Sequence, residues 1–142
     1  MALLNVVIDT NIIVSGLRSS VGSSHKLLKL IGDARFKINL SVPMVLEYES
    51  VLKRNKKALS INDHTIEVLI DYFCSVANLW DVHFLWRPLL SDPSDDMLLE
   101  LAVRSSSNYI ITWNLTDFKG IEAFGVKALN AKDFLDIIGE TK

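Results

Sequence analysis

Residues Leu3 to Ile8 form a continuous apolar, β-branched stretch broken by a single Asn, and the stretch stops abruptly at Asp9-Thr10-Asn11. A strand buried on both faces of a parallel sheet has this pattern. Polar, turn-forming Ser19 to Ser24 follows, then His25 to Ile31 with Gly32 as a stop signal, which predicts a helix. Lys37 to Val42 alternates and predicts a second strand. Pro43 stands where the first turn of a helix tolerates it, and Met44, Val45, Tyr48, Val51 and Leu52 share one arc of the wheel through Asn55. Asn62 or Asp63 can cap a further helix whose stripe is Ile66, Leu69, Ile70, Phe73 and Ala77, with Cys74 at its border as inert core.

The second half repeats the rhythm. Trp80 to Trp86 reads as a strand, and Ser91 to Asp96 as a turn feeding a helix through about Ser105. Asn108 to Thr112 is a short buried strand, Asp117 to Ala123 a short helix, Val126 to Leu129 a strand and Ala131 to Ile138 a helix. Strands alternating with helices at this spacing predict an α/β fold, a three-layer α/β/α sandwich around a mostly parallel, Rossmann-like central sheet. No linker, internal repeat or low-complexity tract divides the chain, so residues 1–142 are expected to form one domain.

Composition narrows the chemistry. With 49% apolar residues the chain can bury a sizeable core, and 15 Lys+Arg against 17 Asp+Glu exclude a broadly cationic nucleic-acid surface. An anionic partner must therefore be held locally. Cys74 is the one cysteine, and the three histidines (His25, His64, His83) are scattered, so neither an internal disulfide nor a Cys/His zinc framework can be built. No apolar run approaches the roughly 18 to 20 residues of a membrane span. Asp9 falls where a signal peptide would still be apolar. A soluble, cytoplasmic chain without membrane attachment is the expectation.

Ligands of open parallel sheets bind beyond the carboxyl ends of the strands. The acids that matter are those at strand exits and in the first turns of the helices that follow. Asp9 follows the first strand directly, and Glu47 lies about 6 Å into the helix after the second. Glu49, on the opposite rim and deeper, ranks lower. Asp95 shares a helical face with Leu98, Leu99 and Ala102, the face that must turn to the core. Asp92 and Asp96 stand beside it as alternates, each also suited to capping or to the helix dipole. Past the strand ending at Thr112 come Asn114 and Asp117, an amide and a carboxylate at the same sheet edge. Taken singly, most of these acids read as caps or solvated rim residues. Taken together, acids at separate strand exits repel one another unless a cation or a shared proton intervenes. An all-oxygen cluster suits Mg²⁺ or Mn²⁺.

The ordered segments VVIDTNIIVSGL (Val6 to Leu17), SVPMVLEYESVL (Ser41 to Leu52), DPSDDMLLELA (Asp92 to Ala102) and IITWNLTDF (Ile110 to Phe118) resemble the PIN-domain family, especially bacterial VapC-type toxins of toxin–antitoxin systems. The resemblance implies a PIN-like fold and a ribonuclease whose catalytic, metal-binding acids are Asp9, Glu47 and Asp95, with Asn114 and Asp117 at the family's last acidic position. Asn114 stands where the family often has Asp, so Asp117 or a neutral amide takes that place. One or two Mg²⁺ or Mn²⁺ ions would bind a phosphate oxygen and activate water for in-line attack, leaving 5′-phosphate and 3′-hydroxyl ends. The resemblance also implies a cognate antitoxin and a homodimer.

Supporting residues follow from position. Thr10, Asn11, Ser15 and Thr112 can orient water or phosphate through hydroxyl and amide groups, and the first three equally suit capping. Arg54 lies almost in line with Glu47 two turns on, and with Lys53, Lys56 and Lys57 it can meet the phosphates of a single-stranded or structured RNA. The same cations also suit a helix C-terminus. Trp86, Arg87 and Trp113 can stack on unpaired bases. Two other readings stay open. One is a degenerate, non-catalytic PIN-like module that binds RNA or protein, suggested by Asn114. The other is a phosphatase using Asp9 as nucleophile, against which stands Asn11 where a second Asp would be wanted.

Overall fold

In the computed structural model, residues 3–82, 90 and 92–140 are described. Five strands, β1 (Leu4–Ile8), β2 (Phe36–Ser41), β3 (Asn78–Trp80), β4 (Tyr109–Ile111) and β5 (Lys127–Leu129), form one sheet in the order β3-β2-β1-β4-β5. Every pairing is parallel. The helices are α1 (Thr10–Arg18), α2 (Ser23–Leu30), α3 (Val42–Arg54), α4 (Lys56–Leu59), α5 (Asp63–Val76), α6 (Pro93–Arg104) and α7 (Ala131–Ile137). Steps from β1 to β2 to β3 run one way across the sheet and carry α1 to α5. The step from β3 back to β4 runs the other way and carries α6. Right-handed crossovers therefore put the two sets on opposite faces, which gives three layers. Strand order reverses between β1 and β4, whose onward connections run to opposite sides, so a crevice opens at their carboxyl ends.

Sequence chemistry explains most elements. Val6, Val7 and Ile8 are at most 2% exposed, as a strand covered on both faces requires. Ser41 caps α3 by accepting from the Met44 N–H at 3.3 Å, with Pro43 in the first turn. Asn62 caps α5 in the same way through the Thr65 N–H at 2.8 Å. In the core, Phe36 and Phe134 meet edge to face with centroids 5.2 Å apart, beneath β2 and α7.

The edge strand is held by a polar group. Asn39 is fully buried on β2, donates from Nδ2 to the Val6 carbonyl at 3.2 Å, and accepts from Trp80 Nε1 at 2.8 Å and Asn78 Nδ2 at 3.2 Å. A buried amide satisfied from both neighbouring strands fixes their register. Arg104 closes over the Trp80 ring at 4.8 Å.

Several expectations are corrected. Residues 12–18, unassigned by pattern, belong to α1, because the β-branched cluster Ile12-Ile13-Val14 masks a helical period that buries Ile12, Ile13 and Gly16. Beyond the helix read through Asn55, Lys56 to Leu59, which the pattern left unassigned, form the separate short helix α4. The helix expected at Asp117 to Ala123 is two 3₁₀ turns, Leu115–Phe118 and Ile121–Phe124. Gly120 at φ 87°, just before the second turn, and Gly125 at φ 81°, just after it, adopt the left-handed conformation that interrupts a helical path. Of the strand expected over Trp80 to Trp86, Trp80 ends β3 (Asn78–Trp80), Asp81 and Val82 are not in a strand, and residues 83–89, Trp86 and Arg87 among them, lie outside the described residues.

Candidate active site

Ile8 of β1 pairs with Ile111 of β4, so the next residues, Asp9 and Thr112, emerge side by side into the crevice. The Asp9 N–H continues the ladder to the Ile111 carbonyl at 2.9 Å. Thr112 Oγ1 donates to Asp9 Oδ2 at 2.8 Å, and Asn11 Nδ2 donates to the same oxygen at 3.2 Å. Thr10 Oγ1 reaches Asp9 Oδ1 at a long 3.4 Å. Asp9 is the N-cap residue of α1 but makes no side-chain capping bond, so its carboxylate faces the β4 exit. It is 7% exposed. Burial raises its pKa, and the Thr112 hydroxyl opposes that rise by stabilising the charged form.

Asn11 acts as a bracket across the crevice. Besides its bond to Asp9, its Nδ2 lies 3.4 Å from Thr112 Oγ1, and its Oδ1 accepts from the Trp113 N–H at 3.3 Å. The Thr112 hydroxyl in turn accepts from the Asn114 N–H at 3.1 Å. The β4 exit is thus tied to the start of α1, while the Trp113 side chain stays 52% exposed. Ser15 is half-buried on α1, and among the described residues its hydroxyl makes no bond to this group.

The DPSDD cluster divides by geometry. Asp92 Oδ1 caps α6 by accepting from the Ser94 N–H at 2.8 Å, and Asp96 Oδ1 accepts from the Leu90 N–H at 2.9 Å. Asp95 is buried to 9% exposure on the same face as Leu98, Leu99 and Ala102. Its pKa is raised to about 6, first by burial and then by the charges of Asp9, Asp92, Asp117 and Asp96. Among the described residues no cation forms an ion pair with Asp9, Asp95 or Asp117. Asp117 and Asn114 are exposed, on and just before the first 3₁₀ turn.

Glu47 comes from the opposite side. It is half-buried on α3, and its Oε2 accepts from Ser94 Oγ at 3.2 Å, which joins α3 to the residue preceding Asp95. The adjacent Tyr48 donates its hydroxyl to the Ile8 carbonyl, directly beneath Asp9. Burial and then the Asp9 charge push the Tyr48 hydroxyl far above its ordinary pKa, so it is a permanent donor. Ser94 and Tyr48 were not singled out as site residues by sequence. Tyr48 sits in the apolar arc and reads as core, and Ser94 is a small residue within an acidic turn. Glu49, on the other rim, faces Lys53 at 4.0 Å.

The donor set at this edge is all oxygen, and Asp95, buried like Asp9, stands in a field of negative charge. A hard divalent ion fits that chemistry. Among the described residues no three carboxylate, imidazole or thiol side chains already stand in an arrangement to hold one ion. On the basic side, Lys53 faces Glu49, and Lys56 is paired with Asp63 at 3.1 Å. Arg54 and Lys57 are exposed and make no ion pair among the described residues. No helix among the described residues is long and apolar enough to cross a membrane.

Comparison with known proteins adds three findings. Residues 5–116 match the family described as PIN domain, a span that includes Asp9, Glu47, Asp95 and Asn114 but not Asp117. The fold is similar to that of a chain in the crystal structure of VapBC2 from Rickettsia felis bound to a DNA fragment from their promoter. The TM-score is 0.60 at 18% identity, over 89% of this chain and 98% of that one. No curated protein matches the sequence.

Proposed function

The chain belongs to the PIN-domain family, and we propose that it is a Mg²⁺- or Mn²⁺-dependent endoribonuclease, one PIN-like domain over residues 1–142 that acts as the toxin of a toxin–antitoxin pair. The observation that carries this reading is Asp95: a carboxylate held inside the protein, beside Asp9 and Asp117, with no cation among the described residues to balance it. With a pKa of about 6 this group is ionised at neutral pH among like charges, a cost that positive charge supplied from outside would offset. Asp9, Glu47 and Asp95 would hold the ion, with Asp117 or the Asn114 amide at the open side and one or two ions in all. The ion, when bound, supplies neutralisation of the developing phosphorane charge and acidification of water.

The chain's own groups do the rest. Thr112 and Asn11 hold Asp9 in one orientation, and Ser94 holds Glu47, so two of the three acids are restrained by partners of their own. Arg54 and Lys57 offer exposed positive charge for the phosphates of an RNA strand, and Trp113 offers an exposed ring for an unpaired base. A protein antitoxin, a homodimer and a cytoplasmic location complete the proposal by family likeness, and the similarity to a chain of the VapBC2 structure supports the first of these.

The test is incubation of the purified chain with single-stranded and hairpin RNAs in EDTA, Mg²⁺ or Mn²⁺. Metal-dependent cleavage leaving 5′-phosphate ends, lost in Asp9→Asn, is the expected result. A second reading rests on Asn114, an exposed amide where an acid would otherwise complete the open side of the site. In it the domain has lost its metal and binds RNA or protein without cutting. Metal-independent RNA binding with no cleavage in any condition would establish that reading instead.

A further inference from the structure

A cavity of about 620 Å³ lies away from the acidic crevice, bounded by the end of α1, by α2 and by one face of α5. Its volume falls within the roughly 300 to 1,000 Å³ of sites that hold small organic ligands. Leu28, Leu69 and Phe73 contribute its apolar wall. Tyr72 lines it as well, with its hydroxyl already spent on the Ile31 carbonyl at 2.7 Å.

Arg18 and Lys29 supply the charge of the lining, and no carboxylate contributes to it. In a chain with 17 acids against 15 bases, an acid-free lining with two cations is a local inversion of sign. Neither cation is neutralised: among the described residues Arg18 and Lys29 form no ion pair, whereas Lys26 on the same helix pairs with Glu140 at 3.6 Å. His25 also lines the cavity, its Nδ1–H donating to the Gly16 carbonyl at 3.0 Å. An apolar wall with an unpaired cationic rim matches a molecule that has the converse layout.

We propose that this cavity binds a small amphipathic anion, a carboxylate carried on an apolar body, with the head group at Arg18 and Lys29 and the body against Leu28, Leu69 and Phe73. The proposal is independent of the nuclease reading and survives its failure. The test uses the full chain and 8-anilinonaphthalene-1-sulfonate as reporter, displaced by decanoate or by decyltrimethylammonium, both below micelle-forming concentration. Saturable binding of one reporter per chain, displaced by decanoate and not by the cation of equal chain length, is expected. The exposed double variant Arg18→Glu/Lys29→Glu should bind roughly tenfold more weakly or worse while keeping the parent's melting temperature and circular dichroism. Several results would overturn the proposal: no saturable binding, equal displacement by both amphiphiles, or unchanged affinity in the double variant. Binding that emerges only on dilution of a dimer would give the cavity to a second copy. Displacement by an acidic apolar peptide but not by decanoate would give it to a peptide.

Discussion

Thr112 and Asp9, 103 residues apart in sequence, are joined by a 2.8 Å hydrogen bond from the threonine hydroxyl to the aspartate Oδ2 inside the crevice between β4 and β1. Both residues are buried, so the bond is the main support of a charge that burial disfavours. Thr112→Val keeps the shape and removes the donor. It should destabilise the fold by about 1 to 3 kcal/mol at neutral pH, the usual cost of leaving a buried group unpaired. Urea denaturation reads this directly, and Thr112→Ser should recover most of the loss.

Asp95 predicts a pH dependence of known sign. Its folded pKa of about 6 lies above the ordinary 3.8, so between these values the folded state binds the extra proton. Stability should therefore fall as pH rises from about 4 to 6 and then level off. Burial raises Asp9 as well, which adds to the trend. Asp95→Asn should flatten the profile and raise the melting temperature at pH 7 by roughly 2 to 6 °C, about what 1 kcal/mol produces in a chain of this size. Thermal melts of both proteins across pH 4 to 8 in EDTA check this, and a parent profile that rises toward neutrality would contradict it.

Divalent metal should act on the same residues. Millimolar Mn²⁺ at pH 7 should raise the melting temperature of the parent and leave Asp9→Asn and Asp95→Asn unmoved. Ser94→Ala frees Glu47 from its 3.2 Å partner. It should weaken Mn²⁺ binding roughly tenfold, the lower end of what losing a partner of a metal ligand costs. Isothermal titration measures this without reference to cleavage.

The basic residues should separate by pairing. Arg54→Ala should lower RNA affinity and flatten the salt dependence by about 0.7 in the logarithmic slope, one phosphate contact on a single strand. Lys56→Ala removes a cation already paired with Asp63 and should change neither by much. Fluorescence anisotropy of a labelled RNA between 50 and 200 mM salt distinguishes them.

Helix α1 makes a steric prediction. A Cβ built on Gly16 would lie 2.6 Å from Leu28 Cδ1 and 2.9 Å from the Ser24 carbonyl. Gly16→Ala should cost about 1 to 3 kcal/mol in spite of the better helix propensity of alanine, because α2 must move away. Guanidinium denaturation gives the value.

How much of this was legible in the chain depends on the range of the interaction. The continuous apolar run before Asp9, the Ser41 and Asn62 caps and the inward face shared by Asp95, Leu98 and Ala102 are set by neighbours within one or two turns, and periodicity exposes them. Where local signals conflict, as at Ile12 to Leu17 or across Gly120, the pattern misleads, because β-branched residues and a left-handed glycine pull against the helix that burial or its absence then decides.

The amino-acid sequence by itself determined an alternating α/β chain with oxygen-bearing side chains at successive strand exits, since both follow from residue order. Only the tertiary structure decided which acids are used up locally and which meet. Asp92 and Asp96 are bonded to backbone N–H groups, Asp95 is left among like charges, and Glu47 is tied to Ser94 from 47 residues away. The reason is physical: the parallel register of β1 with β4 and the approach of α3 to the start of α6 depend on the whole core packing at once, and no stretch of chain carries that information alone.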